Sequence, residues 1–182
     1  ARVAVHATSA APPSPRRNGD MLVVTHMAAY YTSQGYDAPV ALIWSILTDF
    51  PSWPRWFPNC SAITFEAGDA PAAGARLIAL ADDPSEWTRW QIAEWREPRL
   101  LVCEHVESTA PMSGQVQAAY LQFELISEPE GCTLEVEIGA EGHGVVGDFF
   151  VSMTLGSGVR RLLPQLVDAF TDHVVQRVAA ER

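Results

Sequence analysis

Apolar residues at helical spacing, followed by a dense run of aromatic residues and prolines, predict a helix pair early in the chain. Residues 40–47 carry apolar side chains every three or four positions behind Pro39, which can open a first helical turn. The next segment, 49–58, packs two Trp, two Phe and three Pro into ten positions. Its prolines forbid one continuous helix, and rigid aromatic surface of this extent belongs in a core rather than in water. We therefore predict that residues 37–58 form a helical plug, which seals one end of the core.

Short runs rich in β-branched, aliphatic and aromatic residues predict seven strands. The strands are Met27–Tyr36 ahead of the plug and then Cys60–Glu66, Gly74–Ala81, Glu86–Trp95, Arg99–Val106, Val116–Ser127 and Cys132–Glu141. Turn residues such as Asp82-Asp83-Pro84 and Pro129-Glu130-Gly131 separate consecutive runs. Because none of the six later strands is separated from the next by a helix-length insert, we expect an antiparallel meander.

The end of the chain carries one long apolar stripe at helical spacing, starting near Gly147. Gly156, Gly158 and Pro164 interrupt this stripe, so we expect a bend or a loop-to-helix transition before residue 165. The predicted order is strand, helix pair, six strands and long helix. It corresponds to an α+β helix-grip fold, in which a seven-stranded curved antiparallel sheet wraps around a long C-terminal helix and leaves a cavity between them.

The length of 182 residues suits one domain, and no linker interrupts it. Residues 1–26 lack periodicity and include a stretch rich in Ala, Ser and Pro, so we expect a disordered N-terminal extension ahead of a domain at 27–182. An organellar transit peptide is the alternative for this acid-poor, Arg-containing segment. No run reaches the roughly 18 apolar residues of a membrane span, and no secretory signal is recognisable. We therefore expect a soluble cytoplasmic protein without stable membrane insertion.

Charge and composition exclude several classes of function. Twelve basic residues, all of them Arg, stand against 22 acidic residues, and a net charge of −10 repels the phosphates of nucleic acid. The absence of Lys from the sequence excludes lysine Schiff-base chemistry. The three Cys form no C-x-x-C pair, and the five His show no spacing that sets two ligands on one face. We expect neither a metal nor a cofactor.

Alternation along the strand Glu86–Trp95 separates two faces, and neither is cleanly apolar. One face carries Trp87, Arg89, Gln91, Ala93 and Trp95, and the other carries Glu86, Thr88, Trp90, Ile92 and Glu94. Arg89 is a candidate catalytic residue, because a guanidinium in a dry pocket keeps its charge and can polarise a carbonyl or stabilise an enolate. The alternative is a surface arginine that pairs with Glu86 or Glu104.

Two histidines are further candidates for chemistry. His105 can act as a general acid or base near neutral pH if it faces inward beside Cys103, and the alternative is a structural histidine. His143 lies in a Glu-Gly-His-Gly segment before the last helix, where it either gates the cavity or lies in solvent.

Several of these segments resemble known families. The plug, 37–58, resembles the opening helix pair of the START-like SRPBCC superfamily. Within it, the run D-F-P-S-W-P-R-W-F-P-N-C of residues 49–60, together with residues 166–171, resembles the coenzyme Q-binding and ribosome-associated-toxin branch. The strand 86–95 and the following C-E-H-V-E-S-T-A-P resemble the aromatic polyketide aromatase/cyclase branch. The resemblance implies an internal cavity for a small apolar or aromatic ligand, such as a polyketide, a quinone or a lipid.

The cyclase resemblance also implies particular residues. Such a strand is expected to project a Trp, a Ser and an Arg into the cavity. Here Trp87 matches the Trp, Gln91 and Ala93 stand at the Ser and Arg positions, and Arg89 is the nearby substitute. Our candidate catalytic residues are Arg89 and His105, and our candidate ligand-binding residues are Trp87, Gln91, Trp95, Phe123, Phe149 and Met153.

Two classes of function fit the sequence. One is a polyketide cyclase/dehydrase-like protein, in which the cavity folds a poly-β-ketone while Arg89, Gln91 and His105 polarise carbonyls or move protons. The other is a non-catalytic carrier or chaperone of a lipid or quinone, held by an aromatic and aliphatic lining.

Overall fold

The computed structural model describes residues 3–4, 28–66, 70–110, 113–151 and 156–180. Its strands and helices, in chain order, are β1 (Val3–Ala4), β2 (Ala28–Tyr36), α1 (Val40–Leu47), a 3-10 helix (Phe50–Arg55), β3 (Ala62–Phe65), β4 (Arg76–Leu80), β5 (Trp87–Arg96), β6 (Leu100–Ser108), a short 3-10 turn (Ser113–Gln115), β7 (Val116–Glu128), β8 (Gly131–Gly142), α2 (Gly144–Phe150) and α3 (Gly156–Ala180). The seven predicted strands are all present, with each end within two residues of its predicted position.

The strands form one sheet in the order β1-β2-β8-β7-β6-β5-β4-β3, and neighbouring strands are antiparallel. The predicted meander is therefore confirmed for β3 to β8. The seventh predicted strand, β2, pairs with β8, and β1 is a two-residue addition at the edge of the sheet. Val3 and Ala4 of β1 pair with Gln34 and Ser33. They belong to the segment 1–26, for which we predicted disorder, and the rest of that segment lies outside the described residues.

The long helix α3 packs its apolar face against the concave side of the sheet, and the helix-grip fold is confirmed. Buried α3 residues include Val159, Leu163, Leu166, Val167, Phe170 and Val174. On the sheet side, Tyr36 contacts Phe170 edge to face at 6.1 Å, and its hydroxyl lies 3.0 Å from the hydroxyl of Thr171.

Pro164, one of the residues at which we expected an interruption, does not end the helix. Pro164 lies inside the continuous helix Gly156–Ala180. An interior proline costs a helix about 3 kcal/mol, because it removes one backbone hydrogen bond and clashes with the preceding turn. Each buried aliphatic or aromatic side chain contributes about 1.5–3 kcal/mol, so the apolar residues on both sides of Pro164 outweigh that cost.

The plug is buried at one end of the core, as the aromatic run predicted. Phe50, Trp53 and Trp56 are at most 3% exposed, and they stack on one another or on neighbouring aromatic rings. The indole N–H of Trp53 donates to the carbonyl of Leu47 at 2.8 Å, which fixes the 3-10 helix against the end of α1. An ion pair of 2.8 Å between Asp49 and Arg177 then joins the plug to the last turns of α3.

Candidate functional site

A small apolar pocket lies between the plug and the inner face of strands β3 to β7. Its lining residues are Trp53, Phe57, Cys60, Ile63, Leu77, Ala79, Trp90, Cys103 and Leu121. All nine present apolar or thiol groups, so the pocket offers a ligand contact area and few hydrogen bonds. Its cavity volume is about 20 Å³, room for about one water molecule. Any larger occupant therefore requires the surrounding side chains to move.

The pairing of β5 with β6 contains two register shifts, and the second of them decides which side chains of β5 face this pocket. The shifts fall between Arg89 and Trp90 and between Ile92 and Glu94. Trp90 pairs with Leu77 on one side and with His105 on the other, and all three lie on the inner face. Because one extra residue moves the following side chains to the opposite face, Trp95 also faces inward.

The outer face of β5 carries three residues that we proposed from the cyclase resemblance. They precede the second register shift. Trp87, Arg89 and Gln91 pair with Leu80, Ile78 and Arg76 of β4 and alternate with the inward-facing Trp90 and Ile92. None of these three belongs to the pocket lining. Their roles in binding or catalysis stay predictions, and the residue of this strand that lines the pocket is Trp90.

Arg89 is engaged by two carboxylates and one aromatic ring. Its Nε donates to Glu66 at 2.7 Å, and its Nη1 pairs with Glu107. The guanidinium also lies over the ring of Trp87 at 5.2 Å. Of our two interpretations, this geometry matches the paired arginine, although the partners are Glu66 and Glu107 rather than Glu86 or Glu104. The first register shift, in which β6 contributes one extra residue, places Glu107 directly opposite Arg89.

His105 faces inward, on the same face of β6 as Cys103. Its ring meets that of Trp90 edge to face, with 5.8 Å between ring centroids. The side chain is half-buried, and this desolvation lowers the pKa of His105 below its usual value of 6.5. The imidazole is therefore neutral near pH 7 and has the protonation state of a base. Within the part of the chain that the structure describes, no carboxylate hydrogen-bonds to it.

A pair of hydroxyls extends the inner face beyond Trp90 and His105. Thr88 pairs with Ser108 across β5 and β6, and their hydroxyl oxygens lie 3.1 Å apart. Thr88 also pairs with Ala79, which lines the pocket. We did not propose either hydroxyl from the sequence. Alternation had placed Thr88 on the same face as Trp90, and that was the signal that could have identified it.

The two cysteines of the pocket are poor nucleophiles. Burial raises the pKa of Cys103 to about 12 and that of Cys60 to about 11. Both thiols are therefore protonated at neutral pH and act as small apolar lining groups.

The remaining candidates divide between core and surface. Trp95 contacts Trp44 at 5.1 Å, and Phe123 is fully buried against Trp53 and Trp56. Phe149 lies on α2 and is 66% exposed. The further candidates are His143, exposed just ahead of α2, and Met153, which lies outside the described residues. Phe123 packs beside the pocket without lining it, and its role in binding stays a prediction.

The sheet, the long helix and the apolar pocket define a helix-grip domain with a hydrophobic ligand-binding fold, of the START-like SRPBCC class that the plug predicted. A family model described as polyketide cyclase/dehydrase and lipid transport matches residues 27–178. The chain belongs to this family. No curated protein matches the sequence.

Three solved structures illustrate the shared fold. Ara h 8.0201 has a TM-score of 0.67 and 12% identity, over 83% of this chain and 99% of its own. The Zhui aromatase/cyclase from a Streptomyces species has a TM-score of 0.63 and 17% identity, over 84% of this chain and 96% of its own. A START superfamily protein from Mycobacterium smegmatis has a TM-score of 0.60 and 18% identity, over 83% and 98% of the two chains. At these identities the likeness shows the fold alone.

None of the described helices is both long and apolar enough to cross a lipid bilayer.

Proposed function

We propose that this protein binds a small apolar or aromatic ligand between the plug and the inner face of the sheet. The observation that carries the proposal is the pocket lining, in which aromatic rings of the plug face aliphatic residues and Trp90 of the sheet. Such a surface is complementary to a flat apolar molecule, because dispersion and the release of water from both surfaces favour contact. The family description, polyketide cyclase/dehydrase and lipid transport, supports a ligand of this kind.

Binding without chemistry is the better supported form of this function. Arg89, the candidate for polarising a carbonyl or stabilising an enolate, pairs with Glu66 and Glu107 on the outer face. His105 has no carboxylate among the described residues to orient it as a base. A carrier of a lipid, a quinone or a polycyclic aromatic metabolite needs neither group.

A cyclase/dehydrase-type activity is the second candidate, and the inner face of β5 and β6 favours it. His105, in a neutral state, and the hydroxyls of Thr88 and Ser108 lie on this face next to Trp90. A poly-β-ketone bound here would meet a base that can take an α-proton and hydroxyl groups that can donate to a carbonyl oxygen.

Filling the pocket tests the binding proposal. Ala79→Phe places a ring into the lining, whereas Ala93→Phe makes the same change at an exposed position of β5. We expect titrations with fluorescent polycyclic aromatics and quinones to show saturable binding to the parent protein and to Ala93→Phe. Ala79→Phe should lose at least about tenfold in affinity, corresponding to about 1.4 kcal/mol. Equal affinity of all three proteins would contradict this location of the site.

Product analysis separates the two functions. The parent protein and His105→Ala are incubated with the poly-β-ketone products of a polyketide synthase. A cyclase gives a cyclised product with the parent protein that His105→Ala and a protein-free control do not give. A carrier gives the same products in all three reactions.

A further inference from the structure

Four buried side-chain atoms have no hydrogen-bond partner among the described residues, and one of them, Nε2 of His173, lies on α3. The other three are the hydroxyl of Thr32, the Oε1 of Gln34 and the indole Nε1 of Trp56. Their side chains are 1–2% exposed. Buried polar atoms in folded proteins are almost always paired, and each unpaired one destabilises the fold. Three such atoms in a core therefore indicate a site for a polar group.

The strand register relates these atoms to the apolar pocket. Thr32 pairs with Val136, which in turn pairs with Phe123 of β7. Phe123 lies two residues from Leu121, on the same face, and Leu121 lines the pocket. At an interstrand spacing of about 4.8 Å, Thr32 is roughly 10 Å across the sheet from Phe123.

Trp56 bridges the space between the pocket side and β2. Its ring centroid is 6.4 Å from that of Phe123 and 4.7 Å from that of Phe170. Phe170 also contacts Tyr36, which follows Gln34 on the same face of β2. Ring contacts therefore connect Trp56 to β2 through Phe170 and Tyr36.

The donor and acceptor types of these atoms select one kind of polar group. The indole of Trp56 only donates, and Oε1 of Gln34 only accepts, since the amide Nε2 of Gln34 donates to the carbonyl of Gly35 at 2.8 Å. The hydroxyl of Thr32 does both. A ketone or an ether leaves Gln34 unpaired, because neither can donate. A charged group would add a large desolvation cost. A hydroxyl, which accepts and donates, matches the donor and acceptor types of all three atoms.

We propose that Thr32, Gln34 and Trp56 form a polar subsite for the hydroxyl of a phenolic or alcoholic polycyclic ligand whose rings occupy the apolar pocket. The inference rests on the proposed binding function and narrows its ligand class. Strand spacing puts β2 roughly 10 Å from the pocket side of the core, at Phe123. The ring system spans this distance, which suits a tricyclic compound. Its hydroxyl donates to Gln34 and accepts from Trp56 or Thr32.

Three probes of one shape test this proposal: fluorene, hydroxyfluorene with its hydroxyl at the end of the long axis, and the corresponding methoxyfluorene. The methoxy compound accepts hydrogen bonds and donates none. We expect the parent protein to bind hydroxyfluorene about tenfold or more tightly than either of the other two, which is the preference that one or two buried hydrogen bonds produce. Dissociation constants from fluorescence titration measure this preference.

Substitutions on β2 test the location of the subsite. Thr32→Val and Gln34→Leu keep the shape of each side chain and remove its polar atoms, so the preference for hydroxyfluorene should fall to about twofold while the affinity for fluorene is retained. Thr32→Ser keeps the hydroxyl and should keep the preference. Ser33→Val, on the opposite face of β2, is the matched control and should change nothing. If Thr32→Val or Gln34→Leu fails to fold, Trp56→Phe removes the donor and is expected to reduce the preference in the same way.

The possible outcomes separate this inference from the proposed function. Equal binding of the three probes to the parent protein, or an unchanged preference in the β2 variants, overturns the subsite and leaves the binding function standing. A loss of thermal stability in Thr32→Val or Gln34→Leu with an unchanged preference shows that these atoms hold a buried water only, and it also overturns the subsite. No binding of any probe to the parent protein overturns both.

Discussion

Trp90 and His105 face each other across β5 and β6, with their rings edge to face and 5.8 Å between centroids. Trp90 lines the apolar pocket, and His105 continues the same face toward the hydroxyls of Thr88 and Ser108. The apolar pocket thus adjoins the titratable imidazole of His105 through the contact between these two rings. A ligand that contacts Trp90 is therefore within reach of the imidazole.

Stability should fall as the pH falls below about 6.5. Burial lowers the pKa of both His105 and His173 from the usual 6.5, so the native state disfavours the protonated imidazole. For His173, the nearby Arg177 and Arg55 act in the same direction and Asp49 opposes them. Below pH 6.5 the unfolded chain binds more protons than the native one, and the free energy of unfolding decreases until the pH passes the native pKa values. Urea unfolding at several values between about pH 7.5 and pH 5.5 measures this slope.

Histidine variants assign that slope to particular residues. His105→Gln and His173→Gln should each flatten the pH dependence, because each removes one group that titrates differently in the two states. His143→Gln makes the same change at an exposed position and is the matched control. A flat profile in the parent protein, or equal flattening by His143→Gln, would argue against burial as the cause.

Arg89→Met should weaken the fold slightly and leave ligand affinity unchanged. The side chain is partly exposed and pairs with Glu66 and Glu107, and such pairs contribute about 0.2–1 kcal/mol each. Arg99→Met, which breaks another partly exposed pair, that with Glu124, is the matched control. Chemical denaturation and titration with a pocket ligand measure the two effects. A large loss of affinity in Arg89→Met, but not in Arg99→Met, would show that Arg89 contributes to ligand binding.

The architecture was predictable from the sequence because it depends on local periodicity, whereas the site depends on register. Hydrophobic spacing located the seven predicted strands to within two residues and identified both the plug and α3. Strict alternation also placed Trp95 on the same face as Trp87. The register shift between Ile92 and Glu94 separates the two, and Trp95 contacts Trp44. Such a shift arises from pairing with β6 and leaves no local pattern in the strand itself.

The partners of Arg89 were not predictable for the same reason. Glu66 belongs to the segment after β3, and Glu107 lies opposite Arg89 only because β6 contributes an extra residue between His105 and Glu107. The polar row of Thr32 and Gln34 was likewise hidden in the sequence. Two polar residues in an alternating strand normally mark its solvent face, and only the position of α3 shows that these two are buried.

The pocket cysteines should resist alkylation in the native protein. Burial raises the pKa of Cys103 to about 12 and that of Cys60 to about 11, so the reactive thiolate is scarce at about pH 8. We expect iodoacetamide to modify both residues far more slowly in buffer than in denaturant, with mass spectrometry locating each adduct. A bound pocket ligand should slow the native reaction further. Equal rates in buffer and in denaturant would contradict the buried placement.

Trp53→Phe should destabilise the protein by about 1–3 kcal/mol, because it removes the donor to the carbonyl of Leu47 and leaves a buried acceptor unpaired. Trp87→Phe makes the same change on the outer face of β5 and should cost less. Urea unfolding midpoints compare the two variants. A similar loss in both would show that the hydrogen bond to Leu47 contributes little.

The pocket is small because the protein occupies it with its own rings. Trp53 and Phe57 line the cavity, and Trp53 is also part of the buried core. A larger ligand must therefore displace these rings in order to bind. The measured dissociation constant then equals the intrinsic one divided by the fraction of molecules in which the rings have moved aside. Evolution toward tighter binding and evolution toward a more stable fold therefore act on the same two side chains in opposite directions.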